Sequence, residues 1–352
     1  MRILQLIDTL HPGGAEQMAV NYANALTEYG IDSQICVTRE NGLLKEKIDP
    51  RIKFHFLNKR KVYDLAALYK LLSIIRKEKI DIVHAHSSSW FFAALCKYTG
   101  GNFKLMWHDH YGNSEFLENR SLQPLKFFSK KIDGIISVDE KLKKWGEENL
   151  NSEQYISLNN FVKIPEINNQ VSNPLQGDSE FNLICVANLR PQKDHYTLLE
   201  AFKIVNEKFK VSLHLLGKKF QDDYSVKLLK KINNEENVYY YGSMDNIFPY
   251  LYYSDIGLLS SNSEALPLVL LEYGYSNLPV VCTDVGSCAA ILGNHGSIIE
   301  PSNPKVFAES IMKLLENGER RLQEGAALNR RIKQLYSIDK VVSAYINFTK
   351  SL

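Results

Sequence analysis

The sequence predicts an α/β fold of two parallel-sheet domains. Short apolar, β-branched runs alternate with longer helical patterns along the chain, which reads as parallel strands joined by crossover helices. The alternation stops near residue 163 and restarts near residue 182. The 352 residues suit two domains of about 150 residues each, and a hydrophobic content of 45% supplies two cores.

In the first half the strand-like runs are 3–7, 32–37, 53–56, 81–85, 104–107, 134–138 and 154–157. Helical patterns lie between them at 16–29, 65–79, 90–98 and 140–149. In the second half the strands are 182–187, 212–216, 238–241, 256–259, 279–283 and 296–299, and the helices 196–209, 224–233, 266–276 and 305–316. The segment 163–180 holds Pro165, Pro174 and Gly177 among Asn, Gln and Ser, with no period, as a linker does. Two Rossmann-like halves, facing each other, are expected to form a cleft between two sets of strand C-termini, a common place for a ligand.

Net charge is +2 from 42 basic and 40 acidic residues, so nothing points to nucleic acid. The five cysteines, Cys36, Cys96, Cys185, Cys282 and Cys288, form no C-x-x-C, and three lie in β-like runs. We read them as buried reduced thiols of a cytosolic protein. The start, MRILQLIDTL, lacks the pattern of a signal peptide, and no apolar run reaches the length of a membrane span.

Chemistry concentrates at the ends of strand-like runs. Glu264 and Glu272 stand in Ser263-Glu264-Ala265-Leu266-Pro267-Leu268-Val269-Leu270-Leu271-Glu272, where Pro267 is expected to open a helix. Glu264 then sits at a strand mouth, where open α/β sheets bind ligands, and Glu272 about two turns along the helix. Favourable interaction with a helix dipole is an equally good account of the two acids taken alone. His11-Pro12-Gly13-Gly14-Ala15-Glu16 follows the first strand, and its glycines let a ligand approach the backbone. Asn188-Leu189-Arg190-Pro191-Gln192-Lys193-Asp194-His195 puts two cations on a strand-to-helix turn. Cations there oppose the helix dipole, so an anion such as a diphosphate is expected to compensate. His84 and His86 end one strand, and His108 and His110 another. Four such histidines, with Asp109 beside them, can be read as a zinc site, while His84 alone reads as a core imidazole. No Asp-x-Asp occurs. We therefore expect no metal and no cofactor, with Arg190 and Lys193 neutralising phosphate.

In order, LIDTLHPGGAEQ, DIVHAHSS, MWHDHYG, the NNFV turn, VANLRPQKDHYTLLEAF, HLLGKK, VYYYGSMDNI and SSNSEALPLVLLEYGYSNLPVVCTDVGS resemble glycosyltransferase family 4, a retaining group of GT-B fold. Two departures are mild: Ala265-Leu266 follows Glu264 where the family favours Gly-Phe or Gly-Leu, and Tyr273-Gly274 replaces the commoner Ala-Met. The resemblance implies an N-terminal acceptor domain at 1–165, a donor domain at 166–335, and a final helix at 336–352 that packs back on the first domain. It implies that Arg190 and Lys193 bind the donor diphosphate. Glu272 would accept hydrogen bonds from the ribose and Glu264 would face the transferred sugar. Ala265, Leu266 and Leu268 would line the phosphates or sugar, and Gly13 and Gly14 would close against the substrates. His108 would stand at the sugar's reacting face, with His110 as its rival; His86, His110 and Glu16 are acceptor-side or secondary positions.

The activity implied is transfer of a sugar, with retention, from a UDP- or GDP-sugar to a glycan or lipid-linked acceptor in bacterial surface polysaccharide synthesis. Arg120-Ser121-Leu122-Gln123-Pro124-Leu125-Lys126-Phe127-Phe128-Ser129-Lys130-Lys131 mixes bases with apolar residues. It fits either peripheral contact with an anionic membrane on its cytoplasmic face or a helix packed on the sheet. A nucleotide-sugar epimerase of the same fold, a zinc-dependent hydrolase using the histidines, and a non-catalytic nucleotide-sugar binder are the competing readings.

Overall fold

The computed structural model describes residues 1–112, 114–163 and 172–352. The chain forms two compact units, Met1–Phe161 with Ile338–Leu352, and Val162–Ser337. Part of the expected linker, 164–171, lies outside the described residues.

The first unit holds seven strands: β1 (Arg2–Thr9), β2 (Asp32–Glu40), β3 (Phe54–Phe56), β4 (Ile82–His86), β5 (Lys104–Asp109), β6 (Gly134–Ser137) and β7 (Tyr155–Ser157). They lie in the order β3-β2-β1-β4-β5-β6-β7, every pair parallel. Parallel neighbours need crossovers, and helices such as Gly14–Glu28, Leu65–Glu78 and Trp90–Tyr98 supply them. Winding runs outward from β1 to β3, then returns to the other side of β1 at β4. That reversal makes the β1/β4 mouth a topological switch point.

The two faces of this sheet differ. Leu4, Leu6, Val83, Ala85, Leu105 and Trp107 point to one side and join an apolar core with Leu71, Phe92 and Leu125. The alternate residues Gln5, His84, His86 and His108 point to the other, and all are buried. The C-terminal helix Ile338–Ser351 covers them within this unit: Tyr345 Oη lies 3.1 Å from His84 Nδ1, and Tyr29 donates to Asp339.

The second unit holds β8 (Phe181–Val186), β9 (Val211–Leu216), β10 (Val238–Gly242), β11 (Ile256–Leu259), β12 (Val280–Thr283) and β13 (Ser297–Ile299). Their order, β10-β9-β8-β11-β12-β13, repeats the winding of the first unit and puts its switch point between β8 and β11. These two strands pair at Leu183–Ile256 and Ile184–Gly257. Beyond that point Tyr273 wedges them apart. Its hydroxyl accepts from Val186 N at 2.9 Å and lies 3.2 Å from the carbonyl oxygen of Leu258, to which it can donate. Gly257 makes room for the ring, since a Cβ there would stand 2.5 Å from Tyr273 Cδ2.

Local chemistry fixes many helix starts. Asp64, Asp139, Asp222, Asn303 and Asn317 each accept from the backbone amide three residues on, satisfying an N–H the helix leaves open. Pro267 behaves differently from expectation. It is the extended N-cap, φ −71 and ψ 113, and the helix Leu268–Tyr275 begins after it. Glu272 is therefore the fifth helical residue, little more than one turn along. The 18-residue helix Gly318–Leu335 was not assigned from the sequence pattern; its mostly polar sequence buries few residues. All five cysteines are free and buried. Among the described residues no helix is long and apolar enough to cross a membrane.

Candidate active site

In the second unit the loops leaving β8 and β11 emerge side by side at the switch point. The first runs through Arg190 into a single 3-10 turn, Pro191–Lys193. Asp194 ends that turn in the left-handed region, φ 43, and caps the next helix by accepting from Thr197 N at 3.2 Å and Thr197 Oγ1 at 2.7 Å. The second loop, 260–263, is laced to the first. Asn262 N donates to Gln192 O at 2.7 Å, Ser260 Oγ to Lys193 O at 2.9 Å, and Asn262 Nδ2 to Asp194 Oδ2 at 3.2 Å.

This lacing brings Lys193 and Glu264 together. The ammonium forms an ion pair with Glu264 Oε1, which also accepts from Ser261 Oγ at 2.6 Å. The Lys193 side chain is 21% exposed and that of Glu264 7%. Gly286, φ +53, presses on the same loop: a Cβ there would overlap the Glu264 carbonyl oxygen, and Ser287 N donates to Ala265 O at 2.8 Å. Only glycine meets that approach without strain.

Arg190 is exposed, its guanidinium 4.5 Å from the Phe220 ring centroid, with Lys218 over the same ring at 5.6 Å. Ala265, Leu266 and Leu268 are buried and Glu272 is half-buried. Pro267, the N-cap, makes no side-chain hydrogen bond to the following helix, whose first-turn amides and positive dipole end are directed out of its N-terminus. The mouth thus combines a held ammonium, a buried carboxylate and a helix N-terminus, a set suited to a phosphate carrying a polar group. Burial, then the Lys193 charge, lowers the His195 pKa to about 4.

In the first unit the histidines line up as the strand period dictates. β4 and β5 pair His86 with His108, and His84 lies opposite Gln5 of β1. Tyr22 of the helix Gly14–Glu28 packs on them, its ring centroid 5.3 Å from His84 and 5.6 Å from His108. His108 is wholly buried, stacked 4.0 Å from His110, and neither of its ring nitrogens has a hydrogen-bond partner. His110, two residues on at the strand mouth, is the partly exposed member of the row. His86 is engaged on both sides: Nδ1 lies 3.2 Å from His110 Nε2, and Nε2 lies 2.8 Å from Gln5 Oε1. Burial, first among the causes, drives His84, His86 and His108 well below the ordinary imidazole range and His110 to about 3.

His84, His86 and His108 offer ligand nitrogens within 4.8 Å of one another. A zinc site takes at least three protein ligands, and His86 would have to surrender a hydrogen bond to join. Asp109, read from the sequence as an aid to such a site, is committed elsewhere. It takes two hydrogen bonds from Arg120, at 2.7 and 2.9 Å, and that guanidinium lies 4.3 Å from both the Tyr111 and Trp145 ring centroids. Arg120 is therefore not one of the bases a membrane would meet.

Gly13 is the extended N-cap of the first helix and Gly14 its first residue, at the β1/β4 switch point. Glu16 folds back on Gly13, where a Cβ would stand 2.5 Å from Glu16 Oε2. The sequence reading missed Asp8, which ties three strand mouths by accepting from Thr38 Oγ1 and from Ser88 Oγ at 2.7 Å. It also gave no role to Ser261 or Gly286, although both lie in the quoted SSNSEALP…TDVGS run.

Two doubly wound parallel sheets, with a charged crevice at the switch point of the second, are the architecture of GT-B glycosyltransferases. A family model described as "Glycosyltransferase Family 4" matches residues 12–160, and one described as "Glycosyl transferases group 1" matches 167–331. The chain belongs to glycosyltransferase family 4. It is 25% identical to the N-acetyl-alpha-D-glucosaminyl L-malate synthase of Bacillus anthracis, over 95% of this chain and 92% of that one. It is also 25% identical to the O-antigen biosynthesis glycosyltransferase WbnH of Escherichia coli, over 82% of each. The crystal structure of Anabaena Alr3699/HepE in complex with UDP and glucose matches with a TM-score of 0.81 at 18% identity, covering 100% of both chains; this is a likeness of fold.

Proposed function

We propose that this glycosyltransferase binds a UDP- or GDP-sugar on its second unit and passes the sugar, with retention and without a metal ion, to a glycan or lipid-linked acceptor. The observation that carries this reading is the Lys193–Glu264 pair at the β8/β11 switch point. A nucleotide diphosphate there meets an ammonium already held in place, the Arg190 guanidinium on the same loop, and a helix N-terminus. As the bond from the sugar to the phosphate oxygen breaks, its electron pair stays on the phosphate, and these fixed positive groups stabilise that charge. The acceptor oxygen bonds to the sugar carbon on the same face and its proton passes to the departing phosphate. Glu264 is suited to a sugar hydroxyl and Glu272 to the ribose diol, since carboxylates accept hydrogen bonds strongly. Of the two rival histidines, we assign substrate contact to His110, because His108 has no exposed surface. The WbnH relative, an O-antigen biosynthesis glycosyltransferase, supports a setting in polysaccharide synthesis, which we place at the cytoplasmic face of the membrane.

A thermal-shift screen of nucleotide sugars, followed by product analysis, tests the reading. A ligand at 100 times its dissociation constant stabilises by about 2.7 kcal/mol. The expected hit is a UDP- or GDP-sugar, and its sugar should appear on an acceptor with the anomeric configuration kept, in chelator as well as without it. An epimerised donor with no transfer, or no stabilisation by any nucleotide sugar, overturns the proposal.

A further inference from the structure

The histidine row carries a chemical direction. Gln5 Oε1 faces His86 Nε2 at 2.8 Å, and a carbonyl oxygen only accepts, so the hydrogen sits on His86 Nε2. A neutral imidazole has one N–H, and His86 is held neutral by burial. Its Nδ1 is therefore a lone pair, and His110 Nε2, 3.2 Å away, must supply the hydrogen. His110 is neutral for the same reason, which leaves its Nδ1 as an acceptor.

We infer that Gln5 and His86 are positioning residues that hold His110 as its Nε2–H tautomer, so that its Nδ1 accepts a hydrogen bond from a substrate hydroxyl. The inference rests on the reading above that His110 meets substrate. It adds specificity: this position takes a group with a hydrogen to give and disfavours an ether, a carbonyl or a carboxylate oxygen, which would set lone pair against lone pair. The alternative chain has the Gln5 amide reversed, with its NH₂ donating to His86 Nε2. Every hydrogen bond then inverts, and His110 points an N–H outward. The orientation of one buried amide thus decides which substrate group unit 1 selects.

Long-range proton–nitrogen correlation spectra of ¹⁵N-histidine-labelled protein near pH 7 read the tautomer without any substrate. We expect a protonated Nε2 and an unprotonated Nδ1 for His110; the Nδ1–H form overturns the inference. Gln5→Met removes the acceptor and should turn the His86 and His110 signals into tautomer mixtures, while unchanged signals overturn the role of Gln5. If that variant does not fold, the wild-type spectrum still decides the tautomer. With the substrates found by the screen, singly deoxyfluorinated analogues should include one whose turnover drops at least about 10-fold in wild type, with the gap narrowing in Gln5→Met. Equal turnover of every analogue overturns the hydroxyl contact. Absence of any transfer fails the functional reading and leaves the tautomer result standing.

Discussion

Lys193 and Glu264, 71 residues apart in sequence, form an ion pair at the point where β8 and β11 part. Neither the 3-10 turn nor the serine loop makes this pair alone; hydrogen bonds from Ser260 and Asn262 of one loop to Gln192, Lys193 and Asp194 of the other hold the two side by side. The pair keeps the ammonium at the mouth while no anion is present. Lys193→Ala is expected to cut turnover by at least about 10²-fold. Loss of the lysine also strands a buried carboxylate, so the double variant Lys193→Met/Glu264→Gln serves as the control. It should recover melting temperature and not turnover. Turnover of Lys193→Ala within about 3-fold of wild type excludes the phosphate role.

Glu272→Gln should weaken nucleotide binding about 5–10-fold. The ribose hydroxyls would exchange a charged acceptor for a neutral one, a difference of about 1 kcal/mol. Calorimetric titration with UDP and GDP measures this, and unchanged affinity for both removes Glu272 from the ribose.

Tyr273→Phe deletes one oxygen and leaves the Val186 N–H facing an apolar ring. The expected loss is about 1–3 kcal/mol in urea unfolding, the cost of an unpaired buried donor. A loss below about 0.5 kcal/mol would mean that the wedge between β8 and β11 holds without that hydrogen bond.

Acid should destabilise the protein through its buried histidines. In the folded chain His110 titrates at about 3, and His195 and His214 at about 4, all lowered chiefly by burial. The unfolded chain takes up these protons near pH 6.5. Below that pH the unfolded state binds more protons, so stability is full above about 6.5 and falls as pH drops toward the folded values. Each group contributes up to about 1.4 kcal/mol per pH unit. Urea unfolding between about pH 7 and pH 5 should show that slope, and His110→Gln should reduce it. A flat profile contradicts the assignment of neutral buried imidazoles.

Residues 123–131 fold as the helix Gln123–Phe128 and the turn Ser129–Lys131. Leu125 and Ser129 face inward, while Phe127 is 57% exposed and stacks on Tyr98, with Lys131 over the Tyr98 ring. That outer face, with Lys126 and Lys130, is the part of the segment suited to an anionic membrane. We predict sedimentation with vesicles rich in anionic lipid, lost in Phe127→Ser/Lys131→Glu. Equal recovery from neutral and anionic vesicles, or none from either, removes the membrane contact.

The alternation of apolar runs with helical patterns located the thirteen strands of the described residues within a few residues, because the central ones are buried on both faces and leave a continuous apolar stretch that needs no partner to be seen. Boundaries were less legible. Pro267 looked like a first helical residue, yet its ψ of 113 is extended and it stands one position earlier, as the cap. The residue types at the mouths, Arg190, Lys193, Glu264 and the paired histidines, were visible as chemistry out of place at the ends of apolar runs. The exchange of Ala-Met for Tyr273-Gly274 looked like drift until the ring of Tyr273 was seen against Gly257, sixteen residues earlier.

The sequence by itself determined the strands, the order of the motifs and the residue types at each mouth, since period and composition are local properties. Only the tertiary structure decided that Lys193 meets Glu264, that Asp109 belongs to Arg120, and that His110 rather than His108 is exposed. Those outcomes depend on which strands become neighbours and where each strand ends. A period-two pattern puts His108 and His110 on one face alike, and burial under Tyr22 separates them.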